Sequence, residues 1–268
     1  MIPVYHIDVF TSELFQGNPA AVCTLTKWLP DELLLAIAKE NQCPETAYCI
    51  LGHDPMPLRW FSPRTEVPLC GHATLATGFA LLTLDPDRRQ IEFETASGRL
   101  SVERAGAYYA LDLPAISLGN PLSEELSERL LSILGIPSAA GICFGNNRHL
   151  VAILENPSDV ERARPDFPEL MALDSRDILI TAPGIQHDFV SRYFAPSIGI
   201  PEDPVTGSAH GLLIPYWSKR LDRQVLSARQ CSPRGGELSG ECRGDRVRLE
   251  GDCRLYLRGE ILIDGTPF

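Results

Sequence analysis

The feature that most constrains this chain is an internal repeat. Residues 59–74 read RWFSPRTEVPLCGHAT, and residues 192–211 read RYFAPSIGIPEDPVTGSAHG. Each copy runs Arg, aromatic, Phe, small residue, Pro, then three residues, then Val or Ile followed by Pro. The second copy then carries a three-residue insert. The two realign as Cys70-Gly71-His72-Ala73 and Thr206-Gly207-Ser208-Ala209, with the glycines separated by about half of the 268-residue chain. A repeat of that period implies a tandem duplication of one folding unit.

In both copies a strand-like run precedes the glycine and a helix-like run follows it. After Gly71 come Ala73, Leu75, Ala76, Phe79, Ala80, Leu82 and Leu84, apolar on nearly every side, which predicts a helix buried all round. After Gly207, AHGLLIPYW predicts a second such helix, kinked at Pro215. β-rich runs occur at 2–10, 20–25, 45–51, 57–61, 90–95, 99–104 and 107–113. They recur at 149–154, 178–182, 188–194, 225–231, 246–250 and 253–264. Outer helices are predicted at 30–41, with Asp31 and Glu32 in the first turn, and at 122–134, where Ser123 can cap. The fold class is therefore α+β in two similar tandem domains. The Gly- and Pro-containing run AISLGNP marks the join, giving domains at 1–116 and 117–258, with the last strand, 259–268, able to return to the first.

Composition removes several function classes. Lys plus Arg number 24 against 35 Asp plus Glu, a net charge of −11, which repels nucleic-acid backbones and anionic membrane surfaces. The start, MIPVYHIDVF, lacks the basic and apolar regions of a signal peptide, and Ala73–Leu84 is too short to span a bilayer, so a cytoplasmic protein is expected. Eight cysteines without a C-x-x-C pair fit reduced thiols. His6, His53, His149, His187 and His210 lack partners at ligand spacing, so no metal is expected. Nucleotide-binding glycine motifs are absent, so no cofactor is expected either, and TGSAH around Ser208 lacks the second glycine of a nucleophile elbow.

The chemistry is expected at the two helix starts. A glycine opening a buried helix leaves backbone N–H groups unpaired at the positive end of the helix dipole, a natural seat for a carboxylate. Cys70, His72, Thr206 and Ser208 would flank such a ligand. Asp203, in the insert, could cap the second helix or hold His72. Glu45, in NQCPETAYCI, is either a solvated strand-end carboxylate or a proton-transfer group pressed into a pocket. The place of Cys70 at a helix N-terminus predicts the most reactive thiol of the chain.

DVFTSELFQGNPAAV near residues 8–22, NQCPETAY, PLCGHATLATGFAL, NRHL at 147–150 and EDPVTGSAHG together resemble the phenazine-biosynthesis-like (PhzF-type) family over essentially the whole chain. The resemblance implies a diaminopimelate-epimerase-like fold, in which each domain wraps a highly curved, mostly antiparallel sheet around a central helix and the active site lies between the domains. It implies that Glu45 is the acid/base glutamate, that His72 belongs to the G-H motif, and that Asp203 and Ser208 are the Asp and Ser of D-P-x-T-G-S. Gly71, Gly207, Cys70 and Thr206 would line the carboxylate site, and Asn18 of GNP matches a substrate-contacting position.

Two departures limit the transfer. The related epimerases use a cysteine at each helix start, whereas here Cys70 is matched by Thr206, so two-cysteine racemisation is unavailable. The phenazine-pathway pattern has no Cys before G-H and has Pro after it, whereas this chain has Cys70 and Ala73. The expected function is thus a cofactor-independent isomerase or epimerase moving a proton on a small carboxylic acid, as a homodimer. The alternatives are a non-catalytic metabolite-binding protein on the same fold, and a hydrolase or lyase using Cys70 with His72. That last pair, two residues apart at a helix start, is expected to aim in different directions.

Overall fold

The structure is a computed structural model that describes residues 1–145, 149–173, 177–196 and 200–263. Its contacts divide the chain into two units, Met1–Leu113 with Arg248–Phe268, and Pro114–Val247. The sequence places the join at 116 and the return at 259. The return lies earlier in the structure because the last strand pairs with the first along its whole length.

Unit 1 contains β1 (Ile2–Val9), β2 (Asn18–Leu25), α1 (Asp31–Asn41), β3 (Glu45–Ile50), β4 (Met56–Phe61), β5 (Glu66–Val67), α2 (Gly71–Leu84), β6 (Gln90–Thr95), β7 (Gly98–Ala105) and β8 (Tyr108–Pro114). β1 is antiparallel to β2, β2 parallel to β3, β3 antiparallel to β4, and β4 antiparallel to β5 and parallel to β6. β6, β7 and β8 continue as an antiparallel meander. Helix α2 touches β1, β2, β3, β6 and β7, so the sheet curves around it. That explains its sequence: with strands on all sides, every residue from Gly71 to Leu82 except Phe79 is buried. The approach is closest at Gly78, where a Cβ would lie 2.3 Å from Val102 Cγ1.

β3 shows how the site is aimed. All of Glu45–Ile50 is buried, because both faces of the strand are covered. Tyr48 and Ile50 pack with Leu33, Leu34 and Ile37 of α1. The Tyr48 hydroxyl donates to the Leu34 carbonyl at 2.7 Å, and Asn41 Nδ2 donates to Thr46 Oγ1 at 3.2 Å. Burying each large apolar side chain here contributes roughly 1.5–3 kcal/mol. With Thr46, Tyr48 and Ile50 turned toward α1, strand alternation turns Glu45, Ala47 and Cys49 toward α2. In β2, Cys23 and Leu25 join the α1 side, so Asn18, Ala20 and Val22 face α2 by the same alternation.

Unit 2 repeats this order. It contains α3 (Glu124–Leu134), β9 (Gly141–Phe144), β10 (His149–Ile153), α4 (Pro157–Arg162), α5 (Phe167–Leu173), β11 (Asp177–Pro183), β12 (Phe189–Ala195), β13 (Ile200–Asp203), α6 (Gly207–Leu221), β14 (Val225–Gln230) and β15 (Gly236–Arg243). Pairings again run antiparallel β9–β10, parallel β10–β11, antiparallel β11–β12 and β12–β13, parallel β12–β14, and antiparallel β14–β15. Helices α3, α4 and α5 cover the outer face, while α6 contacts β14 and β15. The chain then runs through β16 (Arg246–Gly251) into β17 (Cys253–Ile261), which pairs with β1 of unit 1. This is the curved-sheet-and-central-helix fold in tandem.

The repeated Arg of the two sequence copies has a structural role. Arg59 on β4 makes a two-pronged bond to Glu66 on β5, and Arg192 on β12 makes one to Glu202 on β13. Each pair ties a short edge strand to its neighbour. Several elements escape the sequence patterning: α4 and α5 are short and proline-flanked, β9 has four residues, and β15 contains two glycines. The turn-like triplet Arg234-Gly235-Gly236 leads out of the β14–β15 turn into β15, with Gly235 at φ +64°. Of the NRHL motif, Asn147 and Arg148 lie outside the described residues, as do residues 264–268 of the expected last strand.

Candidate active site

In unit 1 the first residues of β2 and β3 meet the first turn of α2. Gly17 makes the entry possible: its φ is +66°, and a Cβ would lie 2.2 Å from the Val9 carbonyl oxygen, so no other residue fits without moving the chain. Asn18 follows directly and is fully buried. Its Nδ2 lies 3.2 Å from His72 Nδ1, and Cys70 Sγ lies 3.5 Å from the same nitrogen. The other ring nitrogen, His72 Nε2, is 3.4 Å from Glu45 Oε2. Glu45, Cys70 and His72 are 9%, 6% and 4% exposed.

Burial sets the protonation of this cluster. Removal from water lowers the His72 pKa from 6.5 to about 3, so the imidazole is neutral at ordinary pH. An amide N–H can only donate, so Nδ1 accepts from Asn18, and the ring proton of the neutral form sits on Nε2. The 3.4 Å approach is therefore carboxylate to neutral imidazole rather than an ion pair, and Nε2 has no aligned hydrogen-bond partner. A buried polar atom in that state calls for a ligand atom to complete it.

This geometry corrects one expectation. Cys70 and His72 do not aim apart: Cys70 is the extended N-cap of α2, at φ −144° and ψ 104°, and that backbone swings its thiol back to the ring two residues on. Cys70, expected to be the most reactive thiol, is buried, while Cys143, Cys231 and Cys242 are partly exposed. Glu66, by contrast, is exposed and paired with Arg59.

Unit 2 brings together Asp203, Thr206 and Gln230 at the start of α6. The Thr206 hydroxyl donates to Asp203 Oδ2. Gln230 Oε1 accepts the Thr206 N–H at 2.9 Å, and its Nε2 donates to the Asp203 carbonyl at 2.7 Å. His210 Nδ1 donates to the Thr206 carbonyl at 2.8 Å, and burial lowers its pKa to about 4. Gly207 is buried in the first turn of α6, and Ser208, one residue on, is partly exposed. His72 belongs to unit 1 and Asp203 to unit 2, and within each unit the contacts are those just given.

Sequence reasoning passed over three residues here. Gln230 comes from β14, far along the chain, and no motif announces it. His210 is set aside as a metal ligand but holds the helix start. Asp177 opens β11 as Glu45 opens β3; it is 1% exposed and accepts from the Tyr193 hydroxyl at 2.7 Å. Extending the repeat upstream would find it: Ala20 pairs with Glu45 in unit 1, and His149 pairs with Asp177 in unit 2.

Comparison with known proteins agrees with this architecture. The family model described as phenazine biosynthesis-like protein (PhzC-PhzF) matches residues 7–260. A Pseudomonas aeruginosa protein named as an uncharacterized isomerase is 43% identical over 96% of this chain and 97% of its own. The crystal structure of an Enterococcus faecalis PhzF-family protein superposes with a TM-score of 0.90 at 41% identity, covering 98% of this chain and 99% of that one. A hydroxyproline epimerase from Agrobacterium vitis shares the fold alone, at TM-score 0.60 and 11% identity over 97% and 90% of the two chains. A family-model match that runs through both copies of the curved sheet and buried helix, together with relatives of 43% identity over nearly the whole chain, places this chain in the phenazine biosynthesis-like (PhzC-PhzF) family.

Proposed function

We propose that this protein is a cofactor-independent isomerase or epimerase that moves a proton on a small carboxylic acid. The observation that carries the reading is the buried His72 Nε2, without an aligned partner and 3.4 Å from the Glu45 carboxylate. Glu45 accepts a carbon-bound proton and returns it at a second position. The neutral His72 donates through Nε2 to the substrate oxygen on which charge develops, and Asn18 keeps that tautomer by donating to Nδ1. Asp203, Gly207 and Ser208 enter by family resemblance, and the helix start at Gly71 supplies N–H groups for the carboxylate. The acidic surface and the reduced thiols suit a cytoplasmic enzyme of this kind.

The test is deuterium uptake from D₂O into a panel of small cyclic and amino acids. Glu45→Gln keeps size but cannot take a proton, so exchange should fall by about 10²–10⁴-fold. Equal exchange in wild type and variant removes Glu45 as the base and makes His72 the next group to test. No exchange with any acid, even in wild type, favours a binding protein on this fold. The Cys70–His72 approach supports a second reading, thiolate chemistry in a hydrolase or lyase. Cys70→Ala separates them: proton exchange survives it, whereas thiolate chemistry does not.

A further inference from the structure

Proton transfer does not account for one property of the unit 1 pocket. Glu45, Cys70 and His72 each offer a donor atom, and the three atoms lie within 4.8 Å of one another, all buried. Among the described residues this is the one such group of His, Cys and carboxylate donors. A proton-transfer pair needs a carboxylate and an imidazole. It has no need of a thiol 3.5 Å from the ring.

The donor set has the chemistry of a thiophilic divalent cation. Zinc takes thiolate sulfur at ~2.3 Å and imidazole nitrogen at about 2.0–2.1 Å, and tetrahedral angles then put sulfur and nitrogen about 3.5 Å apart. The Cys70 Sγ–His72 Nδ1 separation is 3.5 Å. Thiolate, imidazole and carboxylate together select zinc, cobalt or cadmium over magnesium or calcium, which prefer oxygen alone. Three protein ligands leave a fourth position for water or the oxygen of a small acid.

We infer that this pocket binds one zinc-class cation reversibly through Glu45, Cys70 and His72. To bind, the ion takes the place of the Asn18 amide on Nδ1, and the Glu45 carboxylate, within 4.8 Å of the Cys70 sulfur, closes toward it. A consequence rests on the preceding functional reading: an ion held by Glu45 and His72 removes both from proton transfer, so zinc inhibits and a chelator restores.

Cobalt(II) is the probe, added to the reduced full-length chain in chelator-free buffer. A thiolate-to-cobalt absorption band in the near ultraviolet should saturate at one ion per chain, collapse on adding zinc, and persist in excess magnesium. It should vanish in Cys70→Ser, and Glu45→Gln should weaken cobalt binding while keeping the band at saturation. Circular dichroism confirms that each variant folds. Independently, zinc should protect Cys70 of the wild-type protein from alkylation, read by peptide mass spectrometry. No band in wild type, a band of full strength in Cys70→Ser, or alkylation of Cys70 unchanged by zinc overturns the inference. These readouts measure binding alone, so their failure is distinct from a failure to find proton exchange.

Discussion

Gly78→Ala tests whether the contact between α2 and the sheet places the site. In an exposed helix interior this change gains about 0.8–1.0 kcal/mol of helix propensity. Here the new Cβ would lie 2.3 Å from Val102 Cγ1, 2.5 Å from its Cβ and 2.9 Å from its Cγ2. Carbon atoms pack at about 3.5–4.0 Å, so helix and strand must separate by roughly an ångström. Turning Val102 cannot relieve a clash with its own Cβ, which puts the cost at the upper end of the ~1–3 kcal/mol seen for overpacking. Subtracting the propensity gain leaves a net loss of about 2 kcal/mol. At ~2–4 °C per kcal/mol, Tm should fall by about 4–8 °C. Because α2 carries Cys70 and His72, the same shift should reduce proton exchange. Val102→Gly removes all three opposing atoms, so in that background Gly78→Ala should become stabilising by its propensity alone. Thermal and urea unfolding of the four proteins in this cycle provide the assay. If Gly78→Ala raises stability in wild type, or has the same sign in both backgrounds, the packing argument is wrong.

Three further outcomes follow from the geometry. Burial lowers the pKa of His72 to about 3 and of His210 to about 4, so the unfolded chain binds more protons below 6.5; stability should be level from about pH 6.5 to 8 and fall as pH drops toward 4, and the His72 ring should remain neutral by ¹⁵N NMR at pH 5. Gln230→Leu removes the acceptor of the Thr206 N–H and a donor to the Asp203 carbonyl and should cost about 1–3 kcal/mol in urea unfolding. In the native protein iodoacetamide should modify the partly exposed Cys242 before the buried Cys70, as read by peptide mass spectrometry.

The sequence by itself determined the duplication and most of the elements. Period-two strands and an all-apolar helix after each glycine are local signals, and a sheet wrapped around a helix is the way to bury a helix with no polar face. The sequence also singled out Glu45, His72 and Asp203, because their motifs are contiguous. The tertiary structure decided what these residues touch. Whether Glu45 is solvated depends on α1 and α2 covering both faces of β3, and neither helix is written into the strand's own alternation. The Cys70 thiol meets the His72 ring through one extended backbone residue at the N-cap, a torsional choice that spacing does not reveal. Gln230 and Asp177 join their neighbours by strand pairing between segments distant in the chain. Such contacts form only when the whole sheet closes, because hydrogen-bond register, unlike periodicity, is a property of two segments and belongs to neither alone.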